Sequence, residues 1–356
     1  MMARIDHPLL MIWLVILALG TVMVASSAVE NVSKHGFFVI LALLAFGFML
    51  LVPLRLWQAS HRLAWLVAFG LCAVVLIPAV GGQVNGARRW IDLGGFTLQP
   101  AEISKFLLLV YVAGYLARFS DQIADQPLVI LRLLVMIGAV AGLLLRQPDF
   151  GSVVVIGASV CGMLFIAGAR LRHFFAVVAL AGTALVALAY TQPYRMARLT
   201  TFTDPWSYAF DGGYQLTQAL IAFGRGEFFG LGLGESIQKL DYLPEAHNDF
   251  IFAVVAEELG LLGASGLLAL FAVLLLRLLR VARVTLRSSA PFAGYLVYGV
   301  ALLLGIQFLI NIGVNTGVLP TKGLTLPFVS YGGNSLIVSC AMLGLVTRAQ
   351  MEADSG

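Results

Sequence analysis

Long apolar runs recur along this chain, and they constrain its fold more than any other feature. A hydrocarbon core about 30 Å thick needs roughly 20 apolar helical residues to cross it. Runs that meet or approach this length cover residues 8–29, 37–53, 63–80, 103–119, 128–145, 152–168, 173–190, 255–276, 291–318 and 328–347. The expected fold is an all-α polytopic integral membrane protein of ten transmembrane helices, forming a single transmembrane domain over residues 1–356. Composition excludes the soluble alternative. Charged residues make up 11% of the chain and hydrophobic ones 60%, whereas globular domains carry roughly 25% charged residues. The first run is long enough to span and lacks a convincing cleavage site, so no cleavable signal peptide is expected.

Basic residues in the short connections set the orientation. Alternate loops carry Arg55 and Arg62, then Arg170 and Arg172, then Arg277, Arg280, Arg283 and Arg287, with Arg4 and Arg348 on the same side. That side is assigned to the cytoplasm, and an even number of spans puts both termini there. The opposite side then holds residues 81–102, a large extracytoplasmic loop at 191–248 between helices 7 and 8, and residues 319–327. The net charge of +4 follows from loops facing an anionic leaflet, so no nucleic-acid partner is expected. Cys72, Cys161 and Cys340 lie inside apolar runs without metal-ligand spacing and read as small hydrophobes.

The loop at 191–248 is too long for a connector, and such loops tend to carry function. It is expected to contain a helix around 213–223, followed by a glycine-rich stretch from Gly224 to Gly234. Its Gly230-Leu-Gly-Leu-Gly234 resembles half a dinucleotide fingerprint, but no βαβ unit surrounds it, which excludes a nucleotide fold. From Asp249 to Arg280 the chain is largely apolar, and one straight helix there would measure about 48 Å. It should therefore stand partly above the lipid or break near Gly260, Gly263 and Gly266, leaving Asp249 at the outer surface over a cavity.

Four clusters of polar residues border these spans, where each ionisable group needs a partner or a function. The first is Glu245, His247 and Asp249 at the start of the eighth span, followed by Glu257 and Glu258. Asp249 there suits either a helix cap or a catalytic carboxylate. The second joins Arg88 and Arg89 before Trp90 to Glu102 and Lys105. The arginines suit interfacial anchoring or phosphate binding, and Glu102 and Lys105 share a helix face, as a structural ion pair or as groups in direct catalysis. The third is Asp149 in the turn Arg146-Gln-Pro-Asp-Phe-Gly151, explained by turn chemistry or as a carboxylate at a cavity mouth. The fourth begins with Gln307, Asn311 and Asn315, a stripe that suits interhelical hydrogen bonding or substrate contact. It continues through Lys322 to Ser330-Tyr331-Gly332-Gly333, whose backbone amides suit an anionic ligand. His35 and His173 read as ordinary interfacial residues. No zinc-ligand cluster, nucleophile elbow or phosphate loop occurs, and the metal ligands, if any, are unknown.

Three motifs, Asn85-Gly-Ala-Arg-Arg-Trp-Ile-Asp92, Gln99-Pro-Ala-Glu-Ile-Ser-Lys105 and Tyr242-Leu-Pro-Glu-Ala-His-Asn-Asp-Phe250, closely resemble the SEDS family (shape, elongation, division and sporulation). So do Glu257-Glu-Leu-Gly260 and Leu319-Pro-Thr-Lys-Gly-Leu-Thr-Leu-Pro-Phe-Val-Ser-Tyr-Gly-Gly333, whose wording is nearer the division branch than the elongation branch. The resemblance covers nearly the whole chain. It implies ten transmembrane helices and a peptidoglycan glycosyltransferase that polymerises lipid II at the outer face of the cytoplasmic membrane, at the division septum. It implies a class B penicillin-binding transpeptidase and other division-complex membrane proteins as partners. A divalent cation, Mg2+ or Mn2+, is implied as cofactor, with no organic cofactor. The family's essential aspartate matches Asp249, and its Glu–Lys pair matches Glu102 and Lys105. As candidate pyrophosphate or glycan contacts the sequence offers Arg88, Arg89, Lys105, Lys239 and Lys322. One departure is Asn248, where many members carry Thr. The competing readings are a lipid II flippase or transporter, and a non-catalytic scaffold for the transpeptidase.

Overall fold

The computed structural model describes residues 5–84, 86–94, 96–190, 201–288, 290–321 and 323–355. Arg4, Lys322 and residues 191–200 of the large loop lie outside the described residues. In chain order the helices begin with α1 (His7–Ser27), α2 (Val32–Leu51), α3 (Leu54–Ala59) and α4 (His61–Val74). Strands β1 (Gly81–Val84), β2 (Ala87–Asp92) and β3 (Thr97–Leu98) follow. Then come α5 (Pro100–Arg118), α6 (Ser120–Ile123), α7 (Pro127–Arg146), α8 (Phe150–Ile166) and α9 (Leu171–Tyr190). The remaining helices are α10 (Tyr214–Gly226), α11 (Ile251–Arg287), α12 (Pro291–Asn315) and α13 (Gly333–Ser355).

Every apolar run coincides with a helix. Seven of these helices are long and apolar enough to cross a membrane, while His61–Val74, Phe150–Ile166 and Leu171–Ala184 are shorter apolar helices. Proline opens α5, α7 and α12, where its missing N–H leaves no hydrogen bond unmade. Asp6 caps α1 by accepting from the Leu9 amide at 3.0 Å. Nearly all of α5 is buried, making it a central helix, whereas Phe37, Ile40, Leu44 and Phe48 of α2 are exposed where lipid would cover them. One element departs from an all-helical reading. Residues 81–98 form a small antiparallel sheet of order β1-β2-β3, pairing Gly82 with Trp90 and Ile91 with Leu98. With only four and two residues in the outer strands, no alternating pattern was long enough to announce it.

Side-chain contacts between helix termini define the two ends of the bundle. Arg348 donates to the Leu50 carbonyl, and the Leu54 amide donates to Glu352, so these termini of α2, α3 and α13 share one end. At the other end Asn315 reaches Asp249, and Asn334 donates to the Thr97 carbonyl at 2.7 Å.

The long helix α11 breaks at Gly260, whose φ of 65° and ψ of −166° are accessible essentially to glycine alone. A break at membrane depth frees backbone groups that lipid cannot satisfy. The glycine-rich stretch satisfies them here. Leu231 N donates to the Glu257 carbonyl and Gly232 N to the Glu258 carbonyl, both at 3.0 Å. In return Leu261 N donates to Glu227 O at 3.0 Å and Leu262 N to Phe228 O at 3.2 Å. The approach is so close that a Cβ on Gly260 would lie 2.3 Å from the Gly230 amide. The half-fingerprint Gly230–Gly234 thus begins as a backbone splint for a broken helix.

Candidate active site

Asp249 stands just before α11, but Phe250 occupies the cap position, so Asp249 is not the helix cap. Its main chain is held by helix α12. Asn311 Nδ2 and Asn315 Nδ2 both donate to the Asp249 carbonyl, at 2.9 and 2.8 Å. Asn315 Oδ1 also accepts from Ala253 N at 3.1 Å, and Asn311 Nδ2 donates to Leu324 O at 2.7 Å. The stripe therefore does interhelical work, directed at the segment that carries the carboxylate.

The preceding residues are held from a second side. Ser330 Oγ donates to the Asn248 carbonyl at 2.6 Å, and Tyr331 N donates to the His247 carbonyl at 2.9 Å. The His247 and Tyr331 rings meet edge to face at 5.5 Å, and burial pushes the Tyr331 phenol above its ordinary pKa. The Asp249 carboxylate is half-buried and lies against Gly323, where an added Cβ would sit 3.1 Å from Oδ2. Asn248, the departure from the family pattern, donates to Glu245 Oε2 at 2.6 Å. Glu245 itself has a φ of 59°, which only a firmly held turn keeps in a non-glycine residue.

The cations divide into committed and uncommitted ones. Lys105 is 1% exposed, 2.8 Å from Glu102, and donates to Gln307 at 3.1 Å. Gln307 passes the network to the Thr325 carbonyl at 3.0 Å, tying α5 and α12 to the loop before α13. Arg89 donates to the carbonyls of Gln147 and Pro148, pinning β2 to the α7–α8 turn. Lys239 pairs with Glu258 at 2.7 Å and donates to Ser26 at 2.9 Å. Arg88 is half-buried and forms no ion pair among the described residues. Asp149 caps α8, accepting from Ser152 N at 3.2 Å and Ser152 Oγ at 2.8 Å, so turn chemistry explains it. Gly333 lets the Phe38 ring approach within 2.6 Å of where a Cβ would stand, which gives this glycine a packing reason.

A cavity of about 1180 Å3 opens beside this segment, lined by Glu30, Lys239, Glu245 and His247 among others. Its lining ends two residues before Asp249. Sequence reasoning missed most of what surrounds the adjacent glutamates. Glu257, fully buried, accepts from Arg225 at 3.0 Å, from Ser236 and from two loop amides. Two carboxylates inside an apolar run signal that partners must exist, but the partners lie up to 232 positions away. His35 also departs from expectation. It is 3% exposed, its ring lies 6.0 Å from that of Tyr331, and neither ring nitrogen has a hydrogen-bond partner among the described residues. Those residues hold no group of three or more His, Cys, Asp or Glu suited to a metal.

Fold and site together define a polytopic helical membrane protein with a pinned carboxylate at one membrane face. The family model described as "Cell cycle protein", FtsW/RodA/SpoVE, matches residues 3–355. The "Probable peptidoglycan glycosyltransferase FtsW" of Pseudomonas fluorescens (strain SBW25) is 46% identical, covering 98% of this chain and 88% of its own. The protein of the same name from Coxiella burnetii is 45% identical, covering 96% of each chain. A solved chain described as "Structural coordination of polymerization and crosslinking by a peptidoglycan synthase complex" superposes with a TM-score of 0.81 at 31% identity, covering 98% of both chains. The rod shape determining protein RodA of Thermus thermophilus gives 0.73 at 31% identity, covering 98% of this chain and 97% of its own. This chain belongs to the FtsW/RodA/SpoVE family and is a multi-pass inner-membrane protein.

Proposed function

We infer that this chain is a peptidoglycan glycosyltransferase that polymerises lipid II at the outer face of the cytoplasmic membrane during division, with Asp249 as general base. Its family and fold support the enzyme class. The observation that carries the residue assignment is the double clamp on the Asp249 carbonyl by Asn311 and Asn315. A base must be held in geometry before its pKa matters.

In the reaction, the 4-hydroxyl of the acceptor's GlcNAc attacks C1 of the donor's MurNAc. Its proton passes to the Asp249 carboxylate, and the bond from C1 to undecaprenyl pyrophosphate breaks with inversion. Negative charge grows on the pyrophosphate, so a guanidinium is the group best suited to meet it. Lys105, Lys239 and Arg89 are already engaged, which leaves Arg88 as our first choice and Lys322 as a second. The cavity by Lys239, Glu245 and His247 suits the saccharide, with Ser330, Tyr331, Gly332 and Gly333 shaping its neighbour loop. Glu102 and Asp149 then act as supports, and no step is routed through a metal.

The complex named for polymerization and crosslinking supports a crosslinking partner for this chain. We take it to be a class B penicillin-binding transpeptidase, joined by other division proteins at the septum, with both termini cytoplasmic. Purified Asp249→Asn protein, in complex with its transpeptidase and given lipid II, is expected to fold, keep its partner and make no glycan chains on a gel. Chains from that variant would overturn the assignment. Wild-type protein that moved labelled lipid II between leaflets without lengthening any chain would point to transport.

A further inference from the structure

At the end opposite Asp249, the chain leaves a second cavity of about 430 Å3 between α11, α13 and the start of α1, a volume within the range of small-ligand sites. On α11 its lining includes Arg277, Arg280, Val281 and Val284. These lie at i, i+3, i+4 and i+7, one face of one helix. Asp6 is the carboxylate in the lining. It is largely occupied, since Oδ1 caps α1 and Oδ2 stands 3.7 Å from Arg277. Glu352, the nearby acid of α13, is turned to Arg348 at 2.7 Å and to Leu54 N. Arg280 is exposed and forms no ion pair among the described residues, and the exposed Arg283 and Arg287 follow it. The cavity therefore carries surplus positive charge, and Pro8, Val281 and Val284 add apolar lining.

The depth identifies the anion. From Leu261 through Leu276 the chain carries no charge and rises about 24 Å as a helix, most of a hydrocarbon core of about 30 Å. Arg277 and Arg280 thus come where the headgroups of the far leaflet begin. Beside them the exposed Val273 and Leu276 lead back into the lipid. We propose that this cavity binds the phosphodiester of an anionic phospholipid, with the phosphate on Arg277 and Arg280 and the acyl chains running back along Val273 and Leu276. Bound there, the lipid joins the C-terminal halves of α11 and α13 to the start of α1.

The test uses the purified full chain in neutral detergent, with bound lipid counted by native mass spectrometry. Phosphatidylglycerol, phosphatidylcholine of the same chains and inorganic phosphate are the three probes. The wild type should retain phosphatidylglycerol well above phosphatidylcholine, with affinity falling as salt rises. The Arg277→Gln/Arg280→Gln variant should bind phosphatidylglycerol about thirty-fold more weakly, and Arg280→Gln alone about five-fold. Arg172→Gln, another exposed arginine of the basic loops, should match the wild type. Should the double variant fail to fold, Arg280→Gln decides alone, because it breaks no ion pair among the described residues. Unchanged retention in Arg280→Gln, or equal retention of the two lipids, overturns the proposal. Inorganic phosphate binding as tightly as phosphatidylglycerol also overturns it, in favour of a free-phosphate site.

Discussion

Replacing Asn315 by alanine tests how the carboxylate is positioned. Asn315 is fully buried, donates to the Asp249 carbonyl and to Asn311 O, and accepts from Ala253 N. Alanine leaves the Asp249 carbonyl to Asn311 alone and the Ala253 amide to the Phe250 carbonyl at 3.0 Å. A lost net hydrogen bond costs about 0.5–1.5 kcal/mol, so losing the bonds to Asp249 O and from Ala253 N should destabilise by about 1–3 kcal/mol. The activity effect is separable. If the loosened carbonyl lets the Asp249 side chain move by about 1 Å, turnover should fall about 100-fold. KM for lipid II should stay within about two-fold, because substrate contacts are not removed. The assay pairs glycan-chain gels at several lipid II concentrations with thermal unfolding in detergent. Ser265→Ala serves as control, since among the described residues that exposed hydroxyl bonds only the Leu262 carbonyl of its own helix. A variant less stable but turning over at the wild-type rate would refute the link between the clamp and the base.

Gly260→Ala should cost more than about 3 kcal/mol, from a glycine-only backbone conformation and a clash with Gly230; reduced folded yield in detergent would check this. Lys239→Ala or Glu258→Ala should each cost about 3–5 kcal/mol by leaving a buried charge alone. The double variant Lys239→Met/Glu258→Gln should recover much of that loss in thermal unfolding. Asn248→Thr should stay active within about three-fold, because Ser330 holds residue 248 through its main-chain carbonyl; a gel assay on lipid II would show it.

Much of this protein was legible because the bilayer is a demanding solvent. Apolar run length gave the helices, and a helix too long for the membrane gave the break, later located at Gly260. The Glu102–Lys105 pair followed from spacing of three on one helix. Local rules reached those features because they depend on residues close in sequence. Tertiary structure alone decided the rest. It showed that Asn311 and Asn315 grip Asp249 across 62 and 66 positions, that the glycine-rich stretch splints the break, and that Lys239 belongs to Glu258. It also buried His35, which sequence had put at an interface. Pairings across such distances depend on how separate helices pack, and the periodicity of a single helix carries no record of its neighbour.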